Sequence, residues 1–175
     1  MDNEMILSEK LNISDIKRIA VWADLSRENK ETLWASVHSA ALRTSVNALW
    51  ALTHLPDSEP DWRLSVRDEM IDMLLSETNA AKKRMLLQIL RNQDYEPEHI
   101  RTDFLDFCMS KINSECEPYA VRCFSMYTAF KMCRHFPELI AELEQHLDMM
   151  RFQTLSPGLA SALRQTKAKI SRIER

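Results

Sequence analysis

The chain has 175 residues, a formal net charge of −3 and a single glycine, Gly158. Average usage would give about a dozen glycines in this length, and hairpins and phosphate-binding loops draw on glycine for positive φ angles. The composition therefore excludes glycine-rich dinucleotide and phosphate-loop motifs. Strong helix formers such as Leu, Met, Ala, Glu, Lys and Arg are abundant, and they favour an all-α fold.

Hydrophobic periodicity and start signals predict helices over most of the chain. Residues 1–13 are weakly patterned, and we expect them to be flexible. A proline at the first helical position marks the starts at Pro97, Pro137 and Pro157, and Asn79 is a predicted N-cap. Residues 57–61 form the longest predicted loop. The predicted helices span 14–24, 28–38, 41–55, 62–77, 79–92, 97–113, 117–135, 137–150 and 157–173.

Four of these helices contain segments that align with one another. The segments begin at Val46, Lys83, Val121 and Leu159, at steps of 37, 38 and 38 residues. A unit of this length holds two helices and two short turns, and it buries its apolar face only by stacking on neighbouring units. The spacing therefore predicts a helical solenoid. The alternative is an irregular helical bundle in which the period is accidental.

The repeat resembles the HEAT and armadillo families. The dipeptide Val121-Arg122 is similar to the Val-Arg signature at the start of the second helix of a HEAT unit. Val46-Asn47 is similar, with asparagine in place of the basic residue. The resemblance implies an α-α superhelix of about four to five helix pairs, and we expect residues 1–175 to form a single helical-repeat domain.

The two predicted rows of helices carry opposite charge. The first row, at 14–24, 41–55, 79–92, 117–135 and 157–175, sums to +11. The second row, at 28–38, 66–77, 98–112 and 138–151, sums to −8. Two rows of opposite charge would give the solenoid two electrostatically distinct faces.

A binding stripe can be predicted on the first row from positions spaced i, i+4 and i+7. These positions are expected to face solvent, and in HEAT-like proteins the row that opens with Val-Arg lines the concave surface. The resemblance thus implies a basic groove for an anionic ligand. A solvated basic face without a ligand is the alternative. The candidate residues are Arg84, Gln88, Arg91, Arg122, Arg164 and Lys167.

No motif for catalysis or metal binding stands out. Cys123 with Cys133 and His135 is the best metal-ligating cluster, but structural zinc sites require a second closely spaced pair. Carboxylates spaced i, i+4, such as Asp68 and Asp72, are typical of exposed helix faces. We therefore predict no catalytic residue, no metal site and no cofactor. A noncatalytic protein is favoured, and the alternative is an enzyme whose active site is assembled only in the tertiary structure.

The sequence predicts a noncatalytic interaction or scaffold module whose groove binds a protein partner, which we expect to be acidic. The alternative is a nucleic-acid-binding protein similar to the HEAT-like DNA-repair glycosylases, with the basic stripe as its groove. The first residues, Met1-Asp2-Asn3-Glu4, lack the positive charge that opens a signal peptide, and no apolar run is long enough to span a membrane. We expect a cytoplasmic protein without a membrane partner.

Overall fold

The computed structural model of the protein describes residues 6–56 and 60–173. All regular structure in these ranges is helical and none is a strand, which confirms the all-α prediction. The chain divides into two compact units, Met1–Met70 (unit 1) and Ile71–Arg175 (unit 2).

Unit 1 is built from short helices whose apolar faces meet. Helix α1 packs against α2 and α3, and α2 packs against α3. Leu33, Val37 and Leu49 are among its fully buried side chains. The helices are α1 (Ile13–Asp24), α2 (Arg27–Val37), α3 (Leu42–Leu52) and α4 (Pro60–Ser65), and α5 (Arg67–Ser76) begins in unit 1 and ends in unit 2.

The segment before α1 differs from our expectation of flexibility from Ile6 onward. Leu7 is only 2% exposed. The side-chain amide of Asn47 donates hydrogen bonds to the carbonyls of Leu7 and Glu9, at 2.8 and 3.1 Å. These contacts hold the segment in place. Residues 1–5, which we also expected to be flexible, lie outside the described residues.

Unit 2 is organised around one central helix, α8. It packs against α6, α7, α9 and α10. Burial of its residues is correspondingly extensive, and Val121, Met126 and Met132 have no exposed surface. The helices are α6 (Ala80–Leu90), α7 (Thr102–Ile112), α8 (Tyr119–Cys133), α9 (Pro137–Met149) and α10 (Pro157–Ile173), with 3₁₀ turns at Pro97–His99 and Met150–Phe152.

Several predicted helix starts are confirmed. The Asn79 side chain accepts hydrogen bonds from the backbone N–H groups of Ala81 and Lys82 and so caps α6. Proline occupies the first position of α9 and of α10. These starts were predictable because a cap depends only on groups within one turn of the chain.

Two predicted helices are each divided in the structure. The helix predicted over 62–77 is interrupted at Val66, where Ser65 Oγ donates to the Trp62 carbonyl at 2.7 Å. The helix predicted over 97–113 begins only at Thr102, because Pro97 opens a 3₁₀ turn instead. Residues 57–59 of the predicted loop lie outside the described residues, and α4 already begins at Pro60.

Candidate interaction surface

The part of the predicted stripe on α8 faces inward, so the expectation of solvent exposure is wrong there. Arg122 is 2% exposed, and Met126 and Ala129 are fully buried. Arg122 Nε donates to the carbonyl of Ile112 at 2.9 Å, and its Nη2 donates to Gln153 Oε1. Arg122 therefore supplies hydrogen bonds to two neighbouring segments and is not available to a ligand.

The equivalent positions of α3 are also buried. Asn47 is 7% exposed and Ala51 is fully buried. The spacing of i, i+4 and i+7 thus identified a real stripe, but on α3 and α8 this stripe is the packed side of the helix. The physical reason is that polar groups turn inward where backbone carbonyls need a hydrogen-bond donor.

On α6 the predicted residues reach the surface. Arg84, Gln88 and Arg91 are all half-buried. Arg84 and Arg91 form no ion pair with a described residue, whereas the preceding lysines do: Lys82 pairs with Glu77 at 2.9 Å, and Lys83 with Glu117 at 2.7 Å. The basic run on α6 therefore contains both structural and unpaired cations.

Arg91 lies against the aromatic side chains of α8. Its guanidinium carbon is 4.3 Å from the centroid of the Phe124 ring and 5.9 Å from that of Tyr127. Such cation–π contacts contribute about 0.5–1 kcal/mol at exposed sites and more where water is excluded. Arg91 is thus held in position by stacking and not by an acidic partner.

The exposed cations on α10 differ in their partners. Lys167 pairs with Asp148 of α9, and Arg164 is exposed without an ion pair to a described residue. Lys169, which was not among the predicted residues, has its Nζ 5.7 Å from the Tyr127 ring centroid and 5.8 Å from that of Phe130.

Lys131 of α8 completes this surface. Its Nζ donates to the carbonyl of Gln93 at 2.7 Å and lies 3.6 Å from Asp94 Oδ1. Burial lowers the pKa of Lys131, and the nearby Arg134 and Lys169 lower it further, against the opposite effect of Asp94.

These contacts join three helices, α6, α8 and α10, into one surface. Its aromatic members could not be predicted from the sequence, because Phe124, Tyr127 and Phe130 resemble core residues. Lys131 and Lys169 lie one repeat step of 38 residues apart, and this spacing was a signal that could have found them. We call the surface the basic–aromatic face and define it as Arg91, Phe124, Tyr127, Phe130, Lys131 and Lys169.

A separate pocket of about 540 Å³ lies in unit 1. It is mostly apolar, and its lining includes Ile19 and Trp22 together with the ion pair between Asp15 and Arg18, at 2.6 Å. Asp15 also accepts a hydrogen bond from the backbone of Asn12 in the cap of α1. The carboxylate therefore has structural partners and supports no catalytic assignment.

The described residues contain no group of three or more His, Cys, Asp or Glu side chains arranged to hold a metal ion. In the same part of the chain, no helix is long and apolar enough to cross a membrane. The four cysteines are free thiols, and burial raises the pKa of Cys133 to about 12.

Comparison with known protein families identifies the architecture. A family model described as a HEAT repeat domain matches residues 3–170. The chain therefore belongs to the HEAT repeat domain family, which confirms the resemblance inferred from the repeat spacing. No curated protein and no solved structure matches the chain.

Proposed function

We propose that the protein is a noncatalytic interaction module that binds an acidic segment of a partner protein on the basic–aromatic face. HEAT repeats generally serve as scaffolds for protein interactions, and the family match covers both units of the chain. The match also supports our proposal that residues 1–175 form one repeat domain. We keep the cytoplasm as the proposed compartment, since the cysteines are free thiols.

One observation carries the proposal: cations of adjacent helices meet on this face, and two of them have no carboxylate partner among the described residues. Arg91 and Lys169 form no ion pair with a described residue, and both lie next to Tyr127. Arg84 and Arg164 extend the unpaired charge along α6 and α10. Such a surface attracts anions, and its positive potential would steer an acidic partner toward it.

The surroundings favour a protein ligand over nucleic acid. The chain carries a net charge of −3, whereas nucleic-acid-binding domains are usually basic overall. The Phe124 ring already has Arg91 over it, at 4.3 Å, so it is not an open platform on which a base could stack.

The test is affinity capture from the native lysate with three forms of the full chain. The first is the wild type, and the second is the double variant Arg91→Glu/Lys169→Glu. The third is a matched control, Lys17→Glu/Arg43→Glu, which makes the same charge change at exposed residues of unit 1 that form no ion pair with a described residue. Each capture is divided into nuclease-treated and untreated halves.

Proteins that survive nuclease treatment, bind the wild type and the control, and are lost with the face variant would support the proposal. Equal recovery on all three forms would contradict it. Recovery of nucleic acid, or of proteins that nuclease treatment removes, would favour the alternative of a nucleic-acid-binding protein. Circular dichroism and thermal unfolding of each variant confirm that the comparison is made between folded proteins.

A further inference from the structure

Arg91 differs from the other surface cations in how it is held. Its guanidinium lies in van der Waals range of the Phe124 ring, at 4.3 Å. Stacking of this kind restricts the orientation of the planar group before any ligand arrives. A pre-ordered side chain loses less conformational entropy on binding than a freely rotating one.

The hydrogen-bonding groups of Arg91 are unused. Its Nε is buried and has no hydrogen-bond partner among the described residues. Its side chain is half-buried, and its two terminal nitrogens, Nη1 and Nη2, form no hydrogen bond with a described residue. An arginine has five N–H donors in a rigid fork, and the two terminal nitrogens match the two oxygens of a carboxylate.

Lys169 provides a second charge next to the same aromatic ring. Arg91 and Lys169 lie 5.9 and 5.7 Å from the same Tyr127 ring centroid, so their charged groups are at most about 12 Å apart. An extended chain advances about 3.3 Å per residue, so two acidic side chains up to three positions apart fit within this limit.

We propose that Arg91 is the anchor of the basic–aromatic face and binds one carboxylate of an acidic protein segment through both terminal nitrogens. Lys169 binds a second carboxylate within three residues of the first on the same segment. This inference rests on the proposed function and adds which residue dominates and which chemistry it recognises. It implies that a positive charge at position 91 does not give full affinity for the acidic segment unless a planar guanidinium carries it.

The test uses a fluorescein-labelled 20-residue poly-glutamate probe and fluorescence anisotropy at low salt. Arg91→Lys keeps the positive charge but removes the fork and the planar stack, and we expect about tenfold weaker binding. The matched control is Arg84→Lys, the same substitution at an arginine of α6 that has no aromatic ring of a described residue against it. We expect its affinity to remain within about twofold of the wild type. Lys169→Arg, which keeps the charge, is also expected to bind within about twofold.

The outcomes distinguish a failure of the Arg91 proposal from a failure of the proposed function. One outcome is that Arg91→Lys binds as tightly as the wild type while Arg91→Glu/Lys169→Glu does not bind. In that case the face attracts acidic chains by charge alone, and the proposal that Arg91 is an anchor is wrong. If the wild type does not bind the probe, both proposals are wrong. If a 20-nucleotide single strand binds more tightly than poly-glutamate at equal salt, the preference for carboxylate is wrong.

Discussion

Helix α3 of unit 1 and helix α8 of unit 2 each place a buried hydrogen-bond donor at the same repeat position, but the donor is neutral in α3 and charged in α8. Each turns the second residue of its aligned dipeptide inward, toward backbone carbonyls of other segments. In α3 this residue is Asn47, which donates to the carbonyls of Leu7 and Glu9. In α8 it is Arg122, which donates to the carbonyl of Ile112 and the side chain of Gln153.

The contacts at the starts of these helices differ in the same way. In the first turn of α3 a neutral hydroxyl makes the contact, since Ser45 Oγ donates to the Val37 carbonyl at 2.5 Å. Before α8, the carboxylate of Glu117 accepts hydrogen bonds from Lys83 at 2.7 and 3.0 Å and lies 3.1 Å from Lys111 Nζ. Burial would raise the pKa of Glu117, but the two lysines outweigh this effect and lower it.

The comparison teaches that position in the repeat specifies a hydrogen-bond donor and does not specify a charge. At this position α3 carries a neutral side chain and α8 carries a charged one. The stability that this position contributes should therefore depend on side-chain charge in α8 and not in α3.

Substitution of Arg122 should produce the largest effect. Arg122→Met keeps an apolar stem of similar length but leaves the Ile112 carbonyl and the Gln153 amide oxygen without their donor. We expect the free energy of unfolding to fall by about 3 kcal/mol, because buried acceptors lose a charged donor. Urea denaturation measures it. A loss below about 1 kcal/mol would show that water replaces the guanidinium.

Substitution of Asn47 should have a smaller effect of the same kind. Asn47→Ala removes two neutral hydrogen bonds, and we expect a loss of about 2 kcal/mol in the same denaturation experiment. Asn47→Asp is the sharper variant, since it replaces the donor by an acceptor facing two carbonyl oxygens. It should be at least as destabilising as alanine at neutral pH, and wild-type stability of this variant would disprove the assigned hydrogen bonds.

Acid should weaken unit 2 through Glu117. Because its pKa is lowered in the folded protein, its stabilising contribution is complete above the ordinary glutamate pKa. The contribution is then lost as pH falls through the lowered value. Between about pH 6 and pH 3, we expect the wild type to lose about 1 kcal/mol more stability than Glu117→Gln. Parallel losses in both proteins would contradict this assignment.

The exposed pair of Lys167 and Asp148 should have the smallest effect. Their side chains are 44% and 59% exposed, and ion pairs in such positions contribute little to stability. Lys167→Ala should leave the urea midpoint unchanged within error. A clear shift of the midpoint would show that charge outside the buried positions also holds α10 against α9.

The sequence by itself determined the helical class, several helix starts and the repeat. A cap such as Asn79 acts within a single turn, and proline at the start of α9 or α10 restricts its own backbone, so neighbouring residues suffice for the prediction. The 38-residue step also follows from sequence, because stacked units place similar residues at similar positions.

Only the tertiary structure decided which side of α8 meets solvent. This helix is packed by α6, α7, α9 and α10, so apolar residues surround it and its periodicity does not distinguish the exposed side. Phe124 and Tyr127 therefore resembled core residues, and Arg122 resembled a surface cation. The carbonyl of Ile112, in a different helix, turned Arg122 inward, and a contact between helices of this kind cannot be read from the local pattern of either one.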